Sequence, residues 1–207
     1  MKNEKGFTLI EMIVVIAVFL FAISTAITIF ISIVQHQRRI LQEQELLNQA
    51  SYAIEHMSKA LRMGARDNSG DCLDSAASDS PYKGYTYRLV DPNSLVGYYQ
   101  GLAFYNGSDT DSSGQPICYK FFVEDGVLKE KKGDEDAMPL ISPDKFEVKS
   151  IRFGINGGNG SSAGLEKDTI GVQTKITILM DIEAKGPGSE LRKKVQTTIS
   201  QRNLNVP

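Results

Sequence analysis

The sequence predicts an α+β fold in which one long N-terminal helix packs on an antiparallel β-sheet domain. Three observations predict this class: an apolar run near the N-terminus, an amphipathic continuation of that run, and β-rich segments separated by turn residues. The chain has 207 residues, which is enough for one domain or for one domain with a long additional element.

The first element is an apolar helix that is long enough to cross a membrane. Met12 to Val34 comprises 23 residues without a charge, a Gly or a Pro. About 20 such residues span the hydrocarbon core of a bilayer. Lys2 and Lys5 precede the run, which places the N-terminus in the cytoplasm and the rest of the chain outside. The run is too long for an ordinary secretory signal, and no small-x-small cleavage site follows it.

From Gln35 the helix continues with one apolar face. No Gly or Pro interrupts Gln35 to Arg62, and Gly64 is a natural stop. We therefore expect a single helix of more than about 50 residues, whose second half packs on the sheet rather than in a coiled coil. The apolar positions recur at helical spacing, and they are Ile40, Leu47, Ala50, Ile54, Met57 and Leu61.

The rest of the chain predicts strands. Glu124-Asp125-Gly126 indicates a tight hairpin, and a change of alternation around Ser150 indicates a bulge. The strands can form one antiparallel sheet or two packed sheets, with the helix on one face. Seven segments have the composition of strands: 82–90, 96–105, 117–123, 127–131, 145–155, 169–184 and 191–204.

One acidic residue, Glu11, lies at the start of the apolar run. A carboxylate inside a membrane segment costs at least ~2.5 kcal/mol and usually has a partner. The stretch Lys5-Gly6-Phe7-Thr8-Leu9-Ile10-Glu11-Met12 resembles the class III signal peptide of type IV prepilins and type II secretion pseudopilins.

This resemblance implies a pilin-like fold and an exported structural subunit. It divides the chain into a leader peptide at 1–6, a transmembrane and filament-core half-helix at 7–34, an amphipathic half-helix at 35–64 and an extracytoplasmic β-rich domain at 65–207. It implies cleavage between Gly6 and Phe7 by a prepilin peptidase that also methylates the new amine. The further partners it implies are other pilin or pseudopilin subunits and the inner-membrane assembly platform, and the assembled filament would lie in the periplasm or at the cell surface.

Glu11 has two interpretations. It can pair with the Phe7 amine of a neighbouring subunit, since it lies about one helical turn further along the chain. It can also simply lie at the membrane surface, where a charge costs little. The length and the C-terminal strands resemble minor subunits, so we expect a minor pilin or pseudopilin. The alternative is a single-span, membrane-anchored binding or adhesion domain that does not polymerise.

The remaining candidate sites are weaker. Cys72 and Cys118 can form a disulfide in an oxidising compartment, and this would stabilise the fold by roughly 4 kcal/mol in the loop-entropy model. Asp109, Asp111 and Ser113 resemble the start of a calcium loop, but Lys120 stands where a bidentate Glu is needed. A solvated loop is therefore favoured there, and no cofactor is expected, although calcium remains a weak candidate.

Neither catalysis nor nucleic-acid binding is predicted. Two histidines and no recognisable catalytic constellation argue against an enzyme. A net charge of −2 gives no general attraction for nucleic acid. We interpret the two short charge clusters, Glu130-Lys131-Lys132 and Arg192-Lys193-Lys194, as solvated strand ends.

Overall fold

A computed structural model shows a long N-terminal helix and one antiparallel sheet, which confirms the predicted α+β class. The structure describes residues 6–68, 70, 72–73, 83–93, 98–156, 173–186 and 191–202. The chain divides into two compact units, residues 1–44 and residues 45–207.

The described elements are α1 (Leu9–Arg62), β1 (Gly64–Ala65), β2 (Tyr87–Asn93), β3 (Tyr98–Thr110), β4 (Pro116–Glu124), β5 (Val127–Lys132), β6 (Met138–Pro139), β7 (Phe146–Asn156), β8 (Lys175–Ala184) and β9 (Arg192–Ser200). The strands form a single sheet in the order β6-β5-β4-β3-β7-β8-β9. In addition, β1 and β2 both pair with β3, along the edge of β3 that does not pair with β4. The described strands therefore form one continuous sheet rather than two packed sheets.

The part of α1 in the first unit is apolar on all sides. The large apolar side chains from Phe7 to Ile33 are 39–79% exposed. By length and composition this helix contains a segment that can cross a membrane. The hydroxyl groups of Ser24 and Thr28 donate to the carbonyls of Leu20 and Ser24 at 2.9 Å, so these two polar groups are satisfied within the helix.

The core of the second unit lies between the last four turns of α1 and one face of the sheet. The helix contributes Leu46, Ala50, Ala53, Met57 and Leu61, each at most 1% exposed. The sheet contributes large side chains such as Phe104, Phe121, Ile151, Ile178 and Met180. Two alanines in the buried helix face let the backbone of the helix approach these larger side chains closely.

The predicted apolar stripe was partly wrong. Ala50, Met57 and Leu61 are buried as expected, and Ile54 is partly buried against the core. Leu47, however, is 40% exposed, and the neighbouring Leu46 is fully buried in its place. Both leucines fit a helical period, so only the contact with the sheet determines which of them faces inward.

Two local predictions about the sheet are confirmed. Asp125 and Gly126 form the β4–β5 turn with φ angles of 52° and 73°, the left-handed values that a tight hairpin requires. The pairing of β7 with β8 shifts by one residue between Val148 and Ser150, which is the expected bulge.

Strand ends differ from the predictions. β2 begins at Tyr87 rather than at residue 82, because Gly84 turns the chain with a φ of 86°. β3 continues to Thr110, and the two-residue strands β1 and β6 were not predicted. Predicted strand residues 82, 96–97, 169–172 and 203–204 lie outside the described residues.

The junction between β3 and β7 is narrow, and the β4–β5 hairpin reinforces it. Among the described residues the two strands pair only through Tyr99 and Phe153. Beside this junction the amide of Val148 donates to the carbonyl of Gly126 at 2.8 Å. A Cβ atom on Gly126 would lie 2.7 Å from Cγ of Glu147. The hairpin turn is thus packed against β7 and joins the two halves of the sheet.

The C-terminal end of α1 is fixed by Tyr87. Its buried hydroxyl donates to the carbonyl of Leu61 at 2.6 Å, one of the carbonyls that a helix end leaves without a helical partner. Gly64 follows the helix as expected, but without a left-handed φ. Position 64 requires a glycine because a Cβ atom there would overlap the phenol ring of Tyr87.

Asp181 is buried in the sheet and pairs with Arg192. Its two carboxylate oxygens accept hydrogen bonds from Nε and Nη2 of Arg192 at 2.7 and 2.6 Å. These bonds hold the pKa of Asp181 below its ordinary value. The pair therefore favours the folded state as long as Asp181 is ionised.

We expect Gly64→Ala to destabilise the second unit by about 1–3 kcal/mol, because the new methyl group has to displace the Tyr87 ring. Gly154→Ala is the matched control, since a Cβ atom there meets nothing within 4 Å and the residue lacks a left-handed φ. Denaturant unfolding measures both variants. Equal stability of Gly64→Ala and the wild type would contradict this role of Gly64.

We expect Arg192→Gln to lower stability at neutral pH and to lose this effect in acid. A depressed carboxyl pKa contributes stability above the unfolded-state value, about 3.9 for Asp, and the contribution disappears as pH falls through the folded-state pKa. Melting curves between about pH 7 and pH 2 test this. The control is Arg152→Gln, which removes an exposed cation stacked on the Tyr98 ring. A pH-independent difference between Arg192→Gln and the wild type would refute the assignment.

Candidate functional site

The bond between Gly6 and Phe7 lies just before the helix. Residues 6–8 have no regular structure, and α1 begins at Leu9. The side chain of Phe7 is 79% exposed, and a Cβ atom added to Gly6 would meet nothing within 4 Å. The two residues predicted as a processing site thus occupy an open, non-helical segment.

Thr8 caps the helix and places Glu11 in its first turn. The hydroxyl of Thr8 accepts a hydrogen bond from the amide of Glu11 at 3.4 Å, and the carbonyl of Thr8 accepts one from the amide of Met12 at 3.3 Å. Thr8 and Glu11 have the spacing of a capping box, which the sequence contains but which was not predicted. A negative charge at this position also interacts favourably with the helix dipole.

Glu11 lies among apolar residues of its own helix. Leu9, Ile10 and Met12 are 55–79% exposed beside it. Within the part of the chain that the structure describes, no ion pair involves Glu11. The next charged residue along the helix is Arg38. A cation that neutralises Glu11 in an apolar environment therefore has to come from outside this helix.

Cys72 and Cys118 are joined by a disulfide, with 5.3 Å between their Cα atoms. Asp67 holds the adjoining loop in place. Its buried carboxylate accepts hydrogen bonds from the amides of Gly70, Cys72 and Leu73 at 2.6–3.0 Å. The disulfide attaches the segment after the helix to strand β4. The organising role of Asp67 was not predicted, because its partners are backbone amides that carry no sequence signal.

The carboxylates of the candidate calcium loop, Asp109 and Asp111, already accept hydrogen bonds from other groups of the protein. The carboxylate of Asp111 accepts hydrogen bonds from the hydroxyl and amide of Ser113 and from the amide of Gln115, at 2.6–2.9 Å. These bonds, led by the Ser113 hydroxyl, hold the pKa of Asp111 below its ordinary value. Asp109 accepts a hydrogen bond from Tyr119. Among the described residues no group of three or more His, Cys, Asp or Glu is arranged to hold a metal ion.

The interpretation of Glu130 as part of a solvated strand end was wrong. Glu130 is buried, and its Oε1 atom lies 2.9 Å from Nε2 of His56. His56 in turn stacks on Tyr52 and meets the edge of Phe121. The contact between His56 and Glu130 joins α1 to strand β5 and contributes to packing.

Residues 1–27 match a family model described as the prokaryotic N-terminal methylation motif. No curated protein and no solved structure matches the chain. The matched motif implies processing by a prepilin peptidase. This motif begins a long apolar helix whose second half packs on an antiparallel sheet, so the chain is similar to type IV pilin-like proteins in its N-terminal motif and in its α+β arrangement.

Proposed function

We propose that this chain is a minor pilin or pseudopilin, a structural subunit of a type IV pilus or a type II secretion pseudopilus that assembles through its N-terminal helix. The observation that carries this proposal is the first unit, a helix with apolar side chains exposed on every side and one acid in its first turn. Such a surface requires lipid or other apolar helices around it. The same helix then serves as a membrane anchor before assembly and as a contact between subunits afterwards.

Processing would place a positive charge at the apolar end of this helix, close to Glu11. Cleavage after Gly6 would create an amine on Phe7, and methylation leaves that amine cationic. The open conformation of Gly6 and the exposure of Phe7 support access by a peptidase. The mature chain would then begin two residues before the helix and four residues before Glu11.

Glu11 is proposed to pair with the Phe7 amine of a neighbouring subunit. In an apolar filament core, two unpaired charges are costly, and each charge offsets part of the desolvation cost of the other. A pair of this kind forms only when neighbouring helices have one particular axial offset. The buried pair would therefore favour subunits in register over the many offsets that apolar contacts alone allow.

The second unit would lie outside the cytoplasm. The disulfide between Cys72 and Cys118 fits an oxidising compartment, and the lysines of the leader favour a cytoplasmic N-terminus. The sheet domain would thus be presented on the periplasmic or extracellular side, with the inner-membrane assembly platform at the other end of the anchor. A subunit of this kind acts through contacts rather than catalysis.

We expect Gly6→Leu to leave the leader attached, because a bulky side chain replaces hydrogen at the bond to be cut. Mass spectrometry of the membrane-extracted protein would find the first six residues and an unmethylated Phe7. Asn3→Gln is the control, since it changes the leader away from this bond, and it should yield a methylated Phe7. If the Gly6→Leu protein is cleaved normally, or if the wild-type protein retains its leader, the result would instead favour an anchored domain that does not polymerise.

We expect Glu11→Gln to permit membrane insertion but to prevent most filament assembly. The variant leaves the Phe7 amine without its partner, at a cost of about 3–5 kcal/mol for each buried pair. Filament recovered by shearing or pull-down is compared with the amount of subunit in the membrane. Glu55→Gln is the matched control, because Glu55 is exposed on the same helix and pairs only with the exposed Lys59 among the described residues. Equal filament yields from both variants would contradict the proposed pairing of Glu11 with the Phe7 amine.

A further inference from the structure

The sheet face that points away from α1 carries a row of cations. Side chains alternate between the two faces of a strand, and Leu102, Phe121 and Leu128 face the helix. Their neighbours along the strands therefore face outward. The pairing register aligns four of these outward residues across β2, β3, β4 and β5, in the order Arg88, Ala103, Lys120 and Lys131.

This row is electrostatically unfavourable by itself. Lys120 and Lys131 are directly opposite each other, and the Cβ atoms of such a pair are about 5 Å apart. Directly opposed like charges destabilise a sheet. The Oδ2 atom of Asp91 lies 3.0 Å from Nζ of Lys120 and compensates its charge, whereas Lys131 has no ion pair in the described part of the chain. A negatively charged ligand would remove this repulsion.

The row borders a cavity of about 370 Å³. Ala103 forms part of its floor, and this small side chain leaves the space between Arg88 and Lys120 open. The Cys72–Cys118 disulfide forms one wall. Among the described residues that line the cavity, Asp134 is the only acid, beside three cations. The volume is within the range of small-molecule sites, about 300–1,000 Å³.

Two of the three cationic groups, those of Arg88 and Lys120, are held in position before any ligand binds. A guanidinium nitrogen of Arg88 donates to the carbonyl of Leu73, whose amide is bound by Asp67. The ammonium group of Lys120 lies 4.8 Å from the centroid of the Phe122 ring. Positioned donors lose less conformational entropy when they bind an anion than free side chains do.

We propose that this cavity, which we call the outer-face cavity, binds a compact oxyanion of the phosphate class, either free or as the terminal phosphate of a small molecule. Lys120 and Lys131 donate charge-assisted hydrogen bonds to its oxygens from one side, and the cation of Arg88 lies on the other. An anion with several oxygens can accept from both lysines at once, which a single chloride does less well. The inference does not depend on filament assembly, because the whole cavity lies in the second unit.

The test uses the full chain in uncharged detergent micelles, with inorganic phosphate and glycerol 3-phosphate as probes. Titration calorimetry is carried out against chloride at matched ionic strength. We expect saturable binding of phosphate, and we expect Lys131→Gln to weaken it by about tenfold or more, because one charge-assisted hydrogen bond is lost. An affinity for glycerol 3-phosphate at least equal to that for phosphate would assign the cavity to a phosphomonoester, and a weaker one to the free ion.

Two variants separate a site from general electrostatics. Lys129→Gln removes one positive charge from the same strand and the same face, but Lys129 does not line the cavity. Its affinity for phosphate should match that of the wild type. Ala103→Leu keeps every charge and fills the floor, so it should abolish binding while circular dichroism shows a folded protein. The proposal is overturned if the wild type shows no saturable binding, or if Lys129→Gln and Lys131→Gln lose affinity equally.

Discussion

The burial of one face of α1 against the sheet is the contact on which the second unit is built. Leu46, Ala50, Ala53, Met57 and Leu61 are almost completely inaccessible, and they occur on a helix whose preceding turns expose apolar side chains in every direction. A continuous helix satisfies its backbone hydrogen bonds in both settings, which no irregular segment could do in lipid. The absence of Gly and Pro from Leu9 to Arg62 keeps these bonds uninterrupted.

The end of this helix is defined by the sheet rather than by a helical cap alone. Tyr87 approaches from strand β2, binds the carbonyl of Leu61 and occupies the space that a side chain at position 64 would need. Directly afterwards, β1 pairs with β3, and Asp67 and the disulfide fix the following loop. The chain therefore passes from helix to sheet through closely packed contacts, which position the outer-face cavity beside Leu73.

Features encoded by neighbouring residues could be predicted from the sequence. The long helix, the Asp125-Gly126 turn and the bulge near Ser150 all depend on periodicity or backbone conformation within a few residues. Features that depend on distant partners could not. Glu130 looks like part of a charged strand end, but its partner His56 is 74 residues away. Likewise, the choice of Leu46 over Leu47 requires knowledge of the surface on which the helix packs.

The same distinction applies to the sites. Gly6, Phe7 and Glu11 form a contiguous pattern, and a family model matches the segment that contains them. The row of Arg88, Lys120 and Lys131 is spread over three strands, so it exists only once the register is known. The short Asp125-Gly126 turn sets the register of Lys120 and Lys131, whereas the longer connections before and after β3 carry no comparable signal for the position of Arg88 in the row.

The attachment of the β4–β5 turn to β7 limits how this protein can vary. Hairpin tips are ordinarily among the easiest places to lengthen a chain, since they face solvent. Here Gly126 lies against Glu147 and accepts a hydrogen bond from Val148, beside a junction that consists of a single residue pair. An extra residue in this turn would remove the contacts of Gly126 with Glu147 and Val148. The two halves of the sheet would then be joined mainly through the pairing of β3 with β7. Tags and inserted loops are therefore better placed elsewhere on the domain.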